Sequence, residues 1–593
     1  MAILYRLLIA EPQTHHFLVD MEVDDVSGPQ RVVMPSWTPG SYLMREFPRN
    51  VVTFAAADGS GRPLAASKQD KNTWLVDAPG DGRLRVRYLV HADELSVRTS
   101  HVDASHAFIS GPGAFMYIEG RQDEEVRLEV RAPAGWKIAT AMEETAPGVF
   151  RAAHYDELAD SPLEIGTHEV IDFEVDGVPH RFAVWGRGNL DAPRLIADTT
   201  RIVRAEKALF GELPYRAYLI ILHLIPGGSG GLEHRDSTVL VADRFAFRGS
   251  GYEGVVGLIA HELFHVWNGK RIRPAVLGPF DYVRESYTRE LWVVEGITTY
   301  YTEVILRRAG FISTGRFLEK IAEQVTRLAG IPGRMVQPLE DASFDTWIKF
   351  YRPDSNSPNA TISYYHKGGL VALLLDLTIR QATGNARSLD DVMRRLWAEY
   401  GRPDAGFPER RVEEIASEVA GVELRPLFDR WLRSAQELDF SPLAAAGLSL
   451  APAHEPPAGS AVPPPAAGEP GATGMREVRI GFQFKMDGGR TVVGNVLAGT
   501  PAWRAGVSAG DELVALDGLR VDAMSLGMRM QEKAPGSTVA LTVFRRDELI
   551  TLPMPVESGP PTRLAVRPIP EPSEAQRAVL QHWLREDPPR DAG

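Results

Sequence analysis

Residues 259–270 read IAHELFHVWNGK. Two histidines and a glutamate interrupt an apolar run whose three-to-four spacing predicts a helix over 253–268. On such a helix His261 and His265 stand four apart and share one face. Two neutral imidazoles at that spacing can hold one zinc ion at ~2.0–2.1 Å. Glu262 lies between them, placed to meet a metal-bound water rather than the metal. This is the H-E-x-x-H arrangement, in which the glutamate is the general base. The plainer alternative is a helix whose histidines are satisfied by hydrogen bonds. A zinc site also needs a third protein ligand and an open fourth position. The chain has no cysteine, so that ligand must be His, Asp or Glu. The next strongly helical stretch, ELWVVEGITTYYTEVIL (290–306), supplies Glu295. It could be an ordinary surface glutamate, but Trp292, Val293, Val294 and Ile297 surround it, and an uncompensated carboxylate in such a run is costly.

The whole chain bounds these readings. At 593 residues it is too long for a single hydrophobic core, so several domains are expected. Hydrophobic residues at 44% and charged residues at 24% are ordinary for a globular protein. The net charge of −13 comes from interspersed acids and bases, and no basic stripe points to nucleic acid or an anionic membrane as partner. Without cysteine, disulfides, thiolate zinc sites and cysteine catalysis are excluded. The start, MAILYRLLIAEPQTHHFLVDMEV, is broken by Arg6 and lacks a small-x-small cleavage pattern, so it reads as a first β-strand. No run approaches the ~18–20 apolar residues of a membrane span. The expected setting is cytoplasmic.

Up to about residue 170 the apolar period is two. RLRVRYLV alternates Leu84, Val86 and Tyr88 with arginines, and EEVRLEVRA does the same with Val126, Leu128 and Val130. From about 195 the period is helical, over 253–268, 291–308, 313–329, 365–383 and 388–400, with Ser388 and Asp391 forming a capping-box variant. APAHEPPAGSAVPPPAAGEPGATG (451–474) cannot bury a core and reads as a semi-extended linker. Short strands with glycine turns return over 476–556, and the proline-rich end carries one short helix near 573–584. The expected layout is a β-rich domain over 1–170, a mostly helical domain over 171–450, a linker over 451–474, a small β-rich domain over 475–558 and a tail over 559–593.

HELFHVWNG followed by LWVVEGITTYY, with KRIRPAVLGPFDYVRESYTRELWVVEG joining them, resembles the gluzincin metallopeptidases, and in particular the glycyl aminopeptidase family M61. The resemblance covers essentially the whole chain and implies a multidomain α+β protein. Its parts are a β-rich N-terminal domain, a thermolysin-like zinc-peptidase domain and a C-terminal PDZ domain. It implies one Zn²⁺ per chain held by His261, His265 and Glu295. In PGGSGGLEHRDS (226–237) it implies that Gly230, Gly231 and Glu233 lie along the substrate, with Glu233 binding the free α-ammonium. His234 stands where relatives carry asparagine. In ISYYHKGGLVALLLDL (362–377) it makes Tyr365 the hydrogen-bond donor to the oxyanion and leaves Tyr364 to packing and Lys367 to a structural role. The implied substrates are peptides with a free N-terminus, cleaved after Gly or Ala. Tyr282, Tyr287 and Trp292 are aromatics available either for pocket walls or for core packing.

VRIGFQF (478–484) with VVGNVLAGTPAWRAGVSAGDELVALDG (492–518) resembles a bacterial-type PDZ domain. That makes Ile480, Gly481 and Phe482 a carboxylate-binding loop for a peptide C-terminus, with 492–496 and 512–516 as strands. Such a domain either binds peptides by strand addition or serves as a structural appendage. Two rival functions stand beside the aminopeptidase: an endopeptidase whose PDZ domain recruits substrates, and a peptide-binding scaffold with a vestigial metal site.

Overall fold

Alternation decides the N-terminal architecture. In Leu84–His91 every other residue is buried, with Leu84, Val86, Tyr88 and Val90 at or below 1% exposure, as expected for a strand with one face on a core. The computed structural model describes residues 2–453, 478–559 and 563–585. The first segment is a strand, Ile3–Leu8, central in an eight-stranded sheet. It runs parallel to Val126–Arg131 and antiparallel to His16–Val23, which in turn pairs with Leu84–His91. A four-stranded and a five-stranded sheet complete this β-rich region. Its core takes in Tyr282, whose hydroxyl donates to Asp156 at 2.7 Å. Tyr282 is therefore a packing residue. Trp292 is also buried, while Tyr287 is 43% exposed.

A second five-stranded sheet follows, in the order Glu169–Val175, Val178–Trp185, Tyr218–Ile225, Ser237–Asp243, Ser229–Glu233. Ser237–Asp243 is parallel to Tyr218–Ile225, whereas Ser229–Glu233 is antiparallel to it and forms the sheet's edge. The edge strand carries Gly230, Gly231 and Glu233.

The chain divides into two units. One comprises Met1–Thr288, Tyr301–Phe311 and Met393–Arg411; the other comprises Arg289–Tyr300, Ile312–Val392 and Val412–Gly593. Within the second, Trp292–Ile297 is a π-helical turn rather than the α-helix its spacing predicts. It packs against the helix Tyr364–Ala382 through two glycines: a Cβ on Gly296 would stand 2.6 Å from the Gly368 Cα. Ser388 and Asp391 form the expected cap, the Ser388 N–H donating to the Asp391 carboxylate at 2.9 Å.

The small C-terminal β domain has the strand order Phe482–Asp487, Arg490–Val496, Glu512–Leu516, Thr538–Arg545, Glu548–Pro555, with helices Pro501–Ala505 and Ala523–Gln531. Asn359 clasps it from the same unit: its amide donates to the Val496 carbonyl and accepts from the Ala498 N–H, both at 2.8 Å. Most of the expected linker, from 454 onward, lies outside the described residues. The expected tail contains a strand, Leu564–Pro568, which pairs with Leu448–Pro452, and the helix Glu574–Leu584 capped by Ser573. Trp583 anchors that helix, fully buried, and donates to the Tyr300 hydroxyl at 2.8 Å. No helix among the described residues is long and apolar enough to cross a membrane.

Candidate functional site

The helix carrying the histidines runs Tyr252–Phe264 and ends four residues earlier than its spacing predicts. His265 is its C-cap, still with right-handed helical angles, so it keeps the i, i+4 relation to His261. Beyond it Val266 and Trp267 close tight turns onto the carbonyls of Leu263 and Phe264. This early ending gives His265 a backbone partner: its Nδ1 lies 2.8 Å from the carbonyl oxygen of Asn268. A carbonyl only accepts, so Nδ1 carries the proton and Nε2 of the neutral ring does not. His261 Nδ1 lies 3.2 Å from the Thr302 hydroxyl. The two Nε2 atoms face each other at 3.2 Å, with the rings nearly perpendicular. This wiring of the outer nitrogens is the one metal-binding histidines carry.

Glu262 is buried, and its side chain lies directly over the edge strand: a Cβ at Gly231 would overlap the Glu262 carboxylate. A side chain at 231 would have to displace that carboxylate, and the general-base candidate is held against the strand proposed to align substrate. Glu233 ends that strand at 6% exposure, and Glu233, Glu262 and His265 each offer a polar atom within 4.8 Å of the others. Gly230 precedes it with φ of 134°.

Glu295 sits within the π turn at 1% exposure. Such turns are rare and recur at functional sites. Tyr365 lies in the first turn of its helix, half-buried, stacked on Phe350 and on Tyr364. Tyr364 is fully buried and accepts from the Thr346 hydroxyl at 3.1 Å, the packing role expected of it. Lys367 is buried too, its amine pushed down to about 8 by burial, which Glu437 partly offsets.

Three residues of this neighbourhood escaped the sequence reading. Asp160 accepts from His234 Nδ1 at 3.0 Å, from the Arg235 N–H at 2.8 Å and from Lys270 at 2.7 Å. Burial alone would raise its pKa, but the charge of Lys270 and the bond from His234 win and hold it well below the usual carboxylate range. This pins the end of the Glu233 strand and gives His234 a structural task. Glu206 is fully buried, and burial raises its pKa well above the usual range against the pull of His265. Asp160 and Lys270 are 110 positions apart, a separation at which no local pattern pairs them.

Around the C-terminal loop, Gly481 has φ of 87° and its carbonyl accepts from the Leu497 N–H at 2.8 Å. Ile480 and Phe482 pack into that domain's core, and Phe482 opens the strand at one edge of the sheet.

Family models match the chain at residues 4–167 as the peptidase M61 N-terminal domain, at 254–371 as M61 glycyl aminopeptidase, and at 478–556 as a PDZ domain. No curated protein matches it. Among solved structures it is similar to an aminopeptidase N family protein from Idiomarina loihiensis, with 30% identity over 98% of this chain and 100% of that one and a TM-score of 0.89. It is also similar to an M1 zinc metallopeptidase from Deinococcus radiodurans, with 16% identity, 74% and 95% coverage and a TM-score of 0.47. The chain, with its β-rich N-terminal domain, peptidase domain and C-terminal PDZ domain, belongs to the M61 glycyl aminopeptidase family and is a metallo-aminopeptidase, a hydrolase of peptide bonds.

Proposed function

We propose that the chain is a zinc aminopeptidase acting on peptides with a free N-terminus and preferring Gly or Ala as first residue, with one catalytic Zn²⁺ at His261, His265 and Glu295. The observation that carries this reading is the pair of Nε2 atoms 3.2 Å apart with both Nδ1 atoms engaged elsewhere. Two donors ~2.0–2.1 Å from one tetrahedral ion stand about 3.3–3.4 Å apart, so the pair fits zinc. The buried Glu295 adds the negative charge that a cation compensates.

Bound zinc would supply Lewis acidity and lower the pKa of its water toward ~7. Glu262 then takes the proton of the attacking water on its carboxylate and returns it to the leaving amine. Tyr365 donates to the oxyanion, a contact whose loss typically lowers the rate by ~10²–10³. Glu233 pairs with the α-ammonium, which would bring the first peptide bond within reach of Glu262. The edge position of Ser229–Glu233 supports an extended substrate added alongside it. The preference for a small first residue rests on the family's glycyl activity. In the PDZ domain, Ile480, Gly481 and Phe482 would receive a peptide C-terminus, which the edge position of Phe482–Asp487 supports. The cysteine-free composition supports a cytoplasmic setting.

The test is hydrolysis of glycyl- and alanyl-anilides by purified protein, with and without a chelator, beside the same peptides N-acetylated. Loss of activity on chelation, return with Zn²⁺ and rejection of acetylated peptides are expected, and Glu233→Ala should erase the discrimination. Equal cleavage of acetylated and unblocked peptides by the unmutated protein would make it an endopeptidase. No hydrolysis by metal-loaded protein would leave only a binding scaffold.

A further inference from the structure

His101, Asp103 and His106 take no part in the site above. They belong to the hairpin HVDASH, which joins the strands Thr99–Val102 and His106–Ile109. Asp103 Oδ1 is fully used by the turn, accepting from the Ser105 N–H and hydroxyl at 2.7 Å each and from the His106 N–H at 3.0 Å. That fixes the carboxylate with Oδ2 3.4 Å from His101 Nε2.

The protons on both rings can be assigned from their partners. His101 Nδ1 lies 3.2 Å from the Asp93 carbonyl oxygen, nearer than Nε2 lies to Asp103, so in the neutral ring with its proton on Nδ1 the lone pair is on Nε2. His106 Nδ1 donates to Glu164 at 2.9 Å, which leaves the lone pair on Nε2. His106 is fully buried, and its Nε2 has no hydrogen-bond partner among the described residues. One donor atom from each of His101, Asp103 and His106 lies within 4.8 Å of the other two. With Nδ1 of each neutral ring engaged by Asp93 and Glu164, the Nε2 atoms and a carboxylate oxygen of Asp103 are the donors this cluster offers a cation. A cation is the species that would satisfy all three at once.

We propose that this hairpin is a second metal site, separate from the catalytic one, taking a divalent cation of the Zn²⁺ class. The 3.4 Å between His101 Nε2 and Asp103 Oδ2 exceeds the ~2.7–2.9 Å of a charge-assisted hydrogen bond. It matches the ~3.4 Å between two donors on one tetrahedral zinc. Both imidazoles have the outer partners metal-bound histidines carry, a carbonyl for His101 and a carboxylate for His106. Two imidazoles with one carboxylate select zinc-like ions over Mg²⁺ or Ca²⁺, which take oxygen sets. The side chains of His101 and Asp103 are 12% and 32% exposed, which opens the site to solvent and to the ion. Glu164, behind His106, also holds His223 of the strand Tyr218–Ile225, so a bound ion would tie the hairpin to the sheet that carries Glu233. Its effect is therefore on stability rather than turnover.

The experiment counts zinc on the full-length protein by plasma mass spectrometry after Zn²⁺ loading and removal of excess. We expect two ions on the unmutated chain and one on His101→Gln/Asp103→Asn, with anilide turnover within about twofold. We expect one ion on His261→Ala/His265→Ala, which leaves the hairpin intact and whose thermal midpoint should rise on Zn²⁺ addition. A single ion that His101→Gln/Asp103→Asn retains and His261→Ala/His265→Ala loses would overturn the second site and leave the catalytic reading standing. So would the absence of any Zn²⁺-induced thermal shift in His261→Ala/His265→Ala, in which no hairpin residue is changed.

Discussion

Two His–Glu–His groups stand in this protein, built from identical residue types and wired in opposite ways. In the first, Glu164 lies between His106 and His223, and each carboxylate oxygen meets a ring nitrogen at 2.9 Å. All three side chains are fully inaccessible to solvent. In the second, His261 and His265 turn their Nδ1 atoms to a hydroxyl and a backbone carbonyl and bring their Nε2 atoms together. There Glu262 lies over the edge strand Ser229–Glu233. In the first group the carboxylate holds the imidazoles in place. In the second, backbone and hydroxyl do that work, which leaves the Glu262 carboxylate for the proton transfer proposed for it. What separates structure from chemistry is where the second nitrogen of each ring is anchored.

The comparison can be broken most sharply at its two glutamates. Glu262→Gln should lower kcat by ~10²–10⁴ with metal content and unfolding midpoint nearly unchanged, since the proposed general base is removed and the amide keeps the side chain's size. Steady-state kinetics beside metal analysis check this. Glu164→Gln should do the reverse: about 1–3 kcal/mol of stability lost in chemical denaturation, because at least one buried ring N–H loses its charged acceptor, with kcat of the folded protein retained. If Glu164→Gln abolished activity without loss of stability, the two groups would not differ in the way described. The smallest effect is on the wiring itself. Thr302→Val removes the partner of His261 Nδ1 and should weaken metal affinity by ~10–100-fold, read by competition with a chelator, while the fold is kept.

How far each group was legible follows from sequence distance. His261, Glu262 and His265 span five residues, and helical geometry alone turns that spacing into a shared face. Glu295 was visible because a carboxylate among Trp292, Val293, Val294 and Ile297 needs an explanation. The period-two runs around Leu84–Tyr88 and Val126–Val130 became strands because alternate burial has one geometric solution. The Glu164 group, by contrast, joins residues 58 and 59 positions apart, and nothing local marks any of them. Nor does local pattern mark Asp160, or the pairing of Leu564–Pro568 with Leu448–Pro452.

The sequence by itself marked His261 and His265 as candidate metal ligands and Glu262 as a candidate base, because helical spacing brings the histidines to one face, and it offered Glu233 as an amine partner only through family resemblance. Only the tertiary structure decided which nitrogen of each ring is tied, that the histidine helix stops at Phe264 so that the Asn268 carbonyl can reach His265, and that Gly231 lies directly beneath the Glu262 carboxylate. These depend on backbone atoms brought together by turns and sheet edges, and a hydrogen bond forms only where folding has delivered its partner within about 3 Å.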